Sequence, residues 1–263
     1  MLFSDRPRAH YNNAPVHEVI CQLRFPTILS INATEPADFQ EMIRSDFPKY
    51  VRRQDIQQPR LIKTPAGPKF EQQPPITNYN FISEDGCWKI NLTQHFISLS
   101  TVRYENWETF ANHLDQALAA FIQLYKPAYF ERVGLRYINL FSRQRLDEEG
   151  TPWSELIAPA YLGVMQEPDV DEADVFNSGV DLMMKLDNSC QTKIHAGPGR
   201  LKAKNPNAPQ DPESKFVFDM DLVMNGNTPC TLAAAGLETL HAHANRIFEG
   251  ALTDRVRQAM MPD

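Results

Sequence analysis

No stretch of apolar residues approaches the ~18 that a membrane-spanning helix requires, so no transmembrane helix is expected. The N-terminal run Met1-Leu-Phe-Ser-Asp-Arg lacks the long apolar core of a signal peptide. Cysteines are few, and the four present, Cys21, Cys87, Cys190 and Cys230, form no CxxC pair. They read as reduced thiols of a cytoplasmic protein, and three of the four fall in strand-like runs, where a free Cys behaves as a small apolar residue. Positive charge is also in deficit: 26 Lys and Arg against 33 Asp and Glu give a net charge of -7. General nucleic-acid or membrane-surface binding, which needs a basic field, is therefore not expected, although a local basic patch is compatible with this balance. Signatures of catalysis and of metal binding are missing too. There is no GxSxG, no GxxxxGK followed by Ser or Thr, no GxGxxG opening a helix, and no HxxxH or HExxH. No catalytic residue, cofactor or metal site is assigned on this basis.

What is present is a globular chain of 263 residues, 42% hydrophobic and 22% charged, enough for one large core or two small ones. From Val19 the apolar positions alternate, with Val19, Cys21, Leu23 and Phe25 on one face and Gln22 and Arg24 on the other, which predicts a strand. Pro36 opens a short helix carrying Phe39, Met42, Ile43 and Phe47. Between Tyr50 and Asn78 periodicity is lost and five prolines occur, so either a mobile loop or a segment laid extended across a surface is expected there. Strands follow near 78–83, 87–93 and 95–102, the first two joined at Asp85-Gly86, a strong hairpin signal. Asn106 is placed to cap a helix whose stripe runs from Trp107 through Phe110, Leu114, Ala117, Leu118 and Phe121 to Tyr125.

After Pro127 the order recurs. A strand with Val133, Leu135 and Tyr137 is followed by a helix near 153–163, strands near 175–186, 189–196 and 215–224, and a final helix over 234–260. The expected fold class is α+β: two β-α-β-β-β-α repeats, residues 1–127 and 128–263, forming one curved, mainly antiparallel sheet packed by two long helices. Aligning Arg24 with Arg136 sets the repeat offset at 112 residues.

Arg24, Arg132 and Arg136 fall on the polar faces of the two leading strands, where they can form an anion-binding stripe. The plainer alternative is a solvent-side cover paired with Glu18, Glu131 or cross-strand acids. Gly197-Pro-Gly-Arg200 with Lys202 and Lys204 is a candidate phosphate cradle, or simply a solvated loop. Asp219 and Asp221 share a strand face, next to Asp181 or Lys185 in a sheet, and can hold a divalent ion or form an ordinary polar face. His241 and His243 lie two apart on one helix and so point in different directions; His241 reads as a hydrogen-bonded core histidine.

Three segments, Pro15-Val-His-Glu-Val-Ile-Cys-Gln-Leu-Arg-Phe-Pro26, Pro36-Ala-Asp-Phe-Gln-Glu-Met-Ile-Arg44 and Glu131-Arg-Val-Gly-Leu-Arg-Tyr-Ile-Asn139, carry a resemblance. Through them nearly the whole chain resembles a sporadically distributed family of prokaryotic proteins of about this length. The resemblance brings no catalytic signature with it. Its patchy distribution implies a mobile or defence-related setting with antitoxin-like or immunity-like partners.

Three functional readings follow. The leading expectation is a non-catalytic cytoplasmic protein-interaction or regulatory module, with a protein partner or a homo-oligomer on its broad sheet. The second is a small-molecule-binding helix-grip domain lined by Phe25, Trp88, Phe96, Tyr137, Phe216 and Phe218. The third is a metal-dependent enzyme acting on nucleotides or phosphorylated substrates, with the three arginines as phosphate clamps and Asp219 and Asp221 on the metal.

Overall fold

Strand alternation and helix capping, the two local signals in the chain, place most of the observed elements. The computed structural model describes residues 2–7, 9–65, 67–175, 177–187, 189–200 and 213–261. In chain order it contains β1 (Val16–Arg24), α1 (Ser30–Ala33), α2 (Ala37–Ile43), β2 (Lys49–Asp55), β3 (Arg60–Thr64), β4 (Gly67–Glu71), β5 (Ile76–Ile82), β6 (Trp88–Leu92), β7 (Phe96–Thr101) and α3 (Trp107–Tyr125). The chain continues through β8 (Phe130–Phe141), α4 (Trp153–Leu156), β9 (Val180–Lys185), β10 (Cys190–Gly199), β11 (Lys215–Thr228), α5 (Ala233–Ala251) and α6 (Asp254–Met260). The protein is α+β. Nine strands form one sheet in the order β2-β5-β6-β7-β1-β8-β11-β10-β9, with every pairing antiparallel.

The alternation read in the sequence is the alternation of burial. Val19, Cys21 and Leu23 on β1, Val133, Leu135 and Tyr137 on β8, and Phe216, Phe218, Met220 and Leu222 on β11 all point to the helix-covered face. Helix α3 starts where the Asn106 side chain accepts from the Thr109 N–H, and it ends at Lys126 in the left-handed region before Pro127. Its stripe buries Phe110 and Phe121, with Phe121 4.7 Å from Phe25 across the sheet. Losing a buried phenylalanine of this kind costs about 3–5 kcal/mol. Helix α5 covers β8 and β11, placing Phe248 over Phe141 and His241 beside Tyr137. The two 19-residue helices meet at Trp107, whose indole N–H donates to Glu238 and whose ring stacks on His241.

Four expectations need correction. The helix expected near 153–163 is a single turn, α4, followed by short 3-10 turns at Pro159–Tyr161 and Gly163–Gln166. Residues 50–78 are not an aperiodic loop, because β2, β3 and β4 lie there. β2 is a sheet edge with all seven residues exposed, and β3 with β4 form a separate two-stranded ribbon, so neither carries the hydrophobic alternation that marks a half-buried strand. Pro68 is tolerated because a two-stranded ribbon has free edges on both sides. The helix expected over 234–260 is two helices. Leu252 is extended and bridges Ile157, and the Thr253 side chain then caps α6 by accepting from the Val256 N–H. Finally, Gly197, Pro198 and Gly199 belong to β10, paired with Val217, Phe216 and Lys215. Gly197 is required for close approach of backbone, since a Cβ there would lie 2.4 Å from the Ser178 carbonyl oxygen.

Candidate functional site

The N-terminal arm is irregular, as its polar composition implies, but it is pinned along the C-terminal helices. The Ser4 N–H donates to the Arg246 carbonyl, the Asn13 N–H donates to the Met260 carbonyl, and Arg6 and Arg246 pair with Asp254 and Asp5. Beneath it Glu249 is buried, with 1% of the residue exposed. It accepts from the Tyr11 hydroxyl at 2.8 Å and from Arg257 Nε at 3.2 Å, while Arg257 Nη2 also reaches the Glu249 carbonyl. Burial, and then the bond and charge of Glu249, push the Tyr11 hydroxyl well above its ordinary value, so it stays a donor.

Where this arm crosses the sheet it closes a small cleft of about 100 Å³, partly enclosed and partly open to solvent. Ala14, Val16, Met220, Ala244 and Phe248 give it apolar walls. Tyr104, Glu105, Tyr137, Asn139, His241 and Asn245 bring polar atoms into the same space from the α3 approach, β8 and α5. Tyr137 and His241 share a hydrogen bond of 2.8 Å between the phenol oxygen and Nδ1, and Tyr104 stands edge-on to Tyr137 at 5.8 Å. His241 is thus a hydrogen-bonded histidine stacked in the interior, as read, and it also lines the cleft. A mostly apolar hollow with a few converging polar groups is the usual form of a small-molecule site. The Glu249 carboxylate in its lining is already neutralised by Arg257, and Glu105 adds a second carboxylate, which favours a neutral or cationic occupant over an anion.

The arginines read from the sequence do share one sheet face, opposite the helices. Arg24 is exposed and sits directly across from Arg132. Arg132 folds back over Gly134, where a Cβ would meet its guanidinium at 2.5 Å, and reaches both carboxylate oxygens of Asp221 and the Gln22 side chain. Arg136 is bidentate on Asp219, with Nε 2.8 Å from Oδ1. Asp219 and Asp221 therefore face guanidiniums, and His195 pairs with Asp181 alongside. Arg200 is exposed just beyond β10, and Lys202 and Lys204 lie outside the described residues.

Of the aromatics proposed to line a cavity, Tyr137 alone lines this cleft. Phe25 packs at a tilt against Phe121, Trp88 against Phe110 and Phe216 against Trp153, and Phe218 meets Tyr161 edge-on, all as core packing. Tyr11, Tyr104, Glu105 and Glu249 went unread because they lie on an irregular arm, a short connector and the far end of a helix. Their common feature is that they meet from three segments more than ninety residues apart in sequence. No protein-family model, no curated protein and no solved structure matches the chain.

Proposed function

We propose that this protein is a binding module that holds a small, mainly apolar, neutral or cationic molecule with a hydrogen-bonding end in the cleft under its N-terminal arm. The observation that carries the reading is the convergence of Tyr104, Tyr137 and His241 opposite Met220, Ala244 and Phe248 around a cleft of about 100 Å³. Native mass spectrometry of gently purified protein, followed by NMR screening of a fragment library, tests it. Adducts or shifts mapping to Tyr137 and His241 are expected. A bare mass together with no fragment shifting these residues would remove the reading.

A second reading, contact with a protein partner, is favoured by the β3–β4 ribbon. Leu61 and Phe70 are direct cross-strand partners there and are 56% and 72% exposed, an apolar pair outside the main sheet. Its setting in a toxin–antitoxin or phage-defence context rests on the family resemblance alone. Residence in the cytoplasm is supported by the four free thiols. Recovery of a stoichiometric partner from the native host, lost in Leu61→Ser/Phe70→Ser, is the expected outcome; equal recovery with both proteins would count against it. The phosphate-clamp enzyme has less support, because Asp219 and Asp221 already neutralise Arg136 and Arg132.

We also read the chain as a tandem duplication. The strand order β5-β6-β7-β1 is mirrored by β9-β10-β11-β8, and α3 and α5 each follow the last strand of their half. With Arg24 aligned to Arg136, the equivalent residues Gln22 and Gly134 are themselves paired, as a two-fold axis between β1 and β8 demands. A rotation that superposes 17–125 on 130–255 is the check. Failure to find one ends the duplication argument and leaves the cleft untouched.

A further inference from the structure

Away from the cleft, the turn between β9 and β10 brings together three side chains of different donor chemistry. The Oδ1 of Asp187 accepts from the N–H groups of Ser189 and Cys190, both at 2.7 Å, which fixes the carboxylate against the turn. Its Oδ2 faces Nε2 of His243 on α5 at 2.9 Å. Cys190, the first residue of β10, is fully buried beside them. One ligand atom from each of Asp187, Cys190 and His243 lies within 4.8 Å of the other two.

From this we propose that Asp187, Cys190 and His243 bind one divalent ion of the zinc class, clamping the β9–β10 turn to helix α5. Sulfur, imidazole and carboxylate together match zinc or cobalt, whereas magnesium and calcium take all-oxygen sets. With ordinary zinc bond lengths, ligand atoms of a tetrahedral site stand about 3.4–3.6 Å apart. Binding therefore draws the Cys190 sulfur in and separates Asp187 from His243 by a few tenths of an ångström. These are side-chain adjustments on a fixed backbone. The ion takes the place of the proton between Asp187 and His243, which passes to solvent, or to Nδ1 by a change of tautomer, and the Cys190 thiol gives up its proton to solvent as the metal–sulfur bond forms. The Asp187 and His243 side chains, 38% and 17% exposed, form the entry side, and three protein ligands leave the fourth position to water. His243 lies two residues from His241, so the ion would sit one helix face away from the cleft.

Cobalt(II) titration of the full-length, chelator-stripped protein tests the proposal. Expected are one equivalent of Co(II), a thiolate-to-cobalt charge-transfer band in the near ultraviolet, and displacement by zinc. Cys190→Ser should abolish the band, and His243→Ala or Asp187→Asn should weaken binding on the order of tenfold or more. Cys87→Ser and Cys230→Ser should leave it unchanged. Should Cys190→Ser fail to fold, the part-exposed His243 and Asp187 variants carry the test. Absence of the band in the parent protein, its survival in Cys190→Ser, or indifference to both His243→Ala and Asp187→Asn would overturn the site.

Discussion

Replacing Arg257 by Met removes the cation from Glu249 while keeping most of the buried volume. The Glu249 side chain is 2% exposed and that of Arg257 12%, so solvent can compensate little of the loss. Stranding one partner of such a pair costs about 3–5 kcal/mol, because the remaining charge has neither water nor counter-ion. Tyr11 still donates one hydrogen bond to the carboxylate, which holds the cost near the lower end of that range. For a chain of this size each kcal/mol lowers the melting temperature by roughly 2–4 °C, so Arg257→Met, at about 3 kcal/mol, should melt roughly 6–12 °C below the parent. Tyr11→Phe alone removes a single bond to a carboxylate and should cost about 1.5–3 kcal/mol. The triple variant Tyr11→Phe/Glu249→Leu/Arg257→Met replaces the whole polar cluster by apolar groups and should be markedly more stable than Arg257→Met. Urea unfolding followed by tryptophan fluorescence measures all three, with the m-value checked for constancy. A loss below about 1 kcal/mol in Arg257→Met, or a triple variant as unstable as the sum of its single changes, would refute the argument that Glu249 is a buried, compensated charge.

Other consequences are more local. Gly197→Ala should cost about 2–3 kcal/mol, since its new methyl meets the Ser178 backbone carbonyl, whereas Gly134→Ala should cost less than about 1 kcal/mol because it displaces only the end of the Arg132 side chain. Denaturation midpoints in the order parent, Gly134→Ala, Gly197→Ala are the expected result. Thr253→Ala removes the cap of α6 and the hydroxyl contact to the Glu155 and Leu156 carbonyls, and should cost about 1 kcal/mol by thermal melting. At the β5–β6 hairpin, the Ser83 hydroxyl and then the Cys87 N–H hold the Asp85 carboxyl at about 2, below its ordinary 3.8. Its stabilisation is therefore complete above about pH 4 and is lost as the pH falls through about 2. In Asp85→Asn the decline of stability over that window should be shallower, and an unchanged acid profile would show that these bonds contribute nothing.

Much of the architecture could be read from the chain because its signals are local. Alternation at Val19, Cys21, Leu23 and Phe25, the Asp85-Gly86 turn and the Asn106 cap each depend on a few neighbouring residues, and each element stands where its pattern put it. Elements without a buried face, β2 and the β3–β4 ribbon, had no pattern to show. The break at Leu252 was signalled only by Thr253 and Asp254, a cap and an acidic first turn set inside a run of helix-forming residues. The polar arginine face was visible as a stripe, but its neutralisation required the diagonal reach of Arg132 over Gly134 to a strand that begins more than eighty residues later.

Sequence alone determined the α+β class, the strand and helix periods and the core-facing residues, since hydrophobic period and capping are written in adjacent positions. Tertiary structure alone decided which distant side chains became neighbours: Tyr11 with Glu249, Tyr137 with His241, and Asp187 and Cys190 with His243. Each of these contacts depends on the order of strands in the sheet and the seat of α5 upon it, and no local pattern of residues encodes that placement.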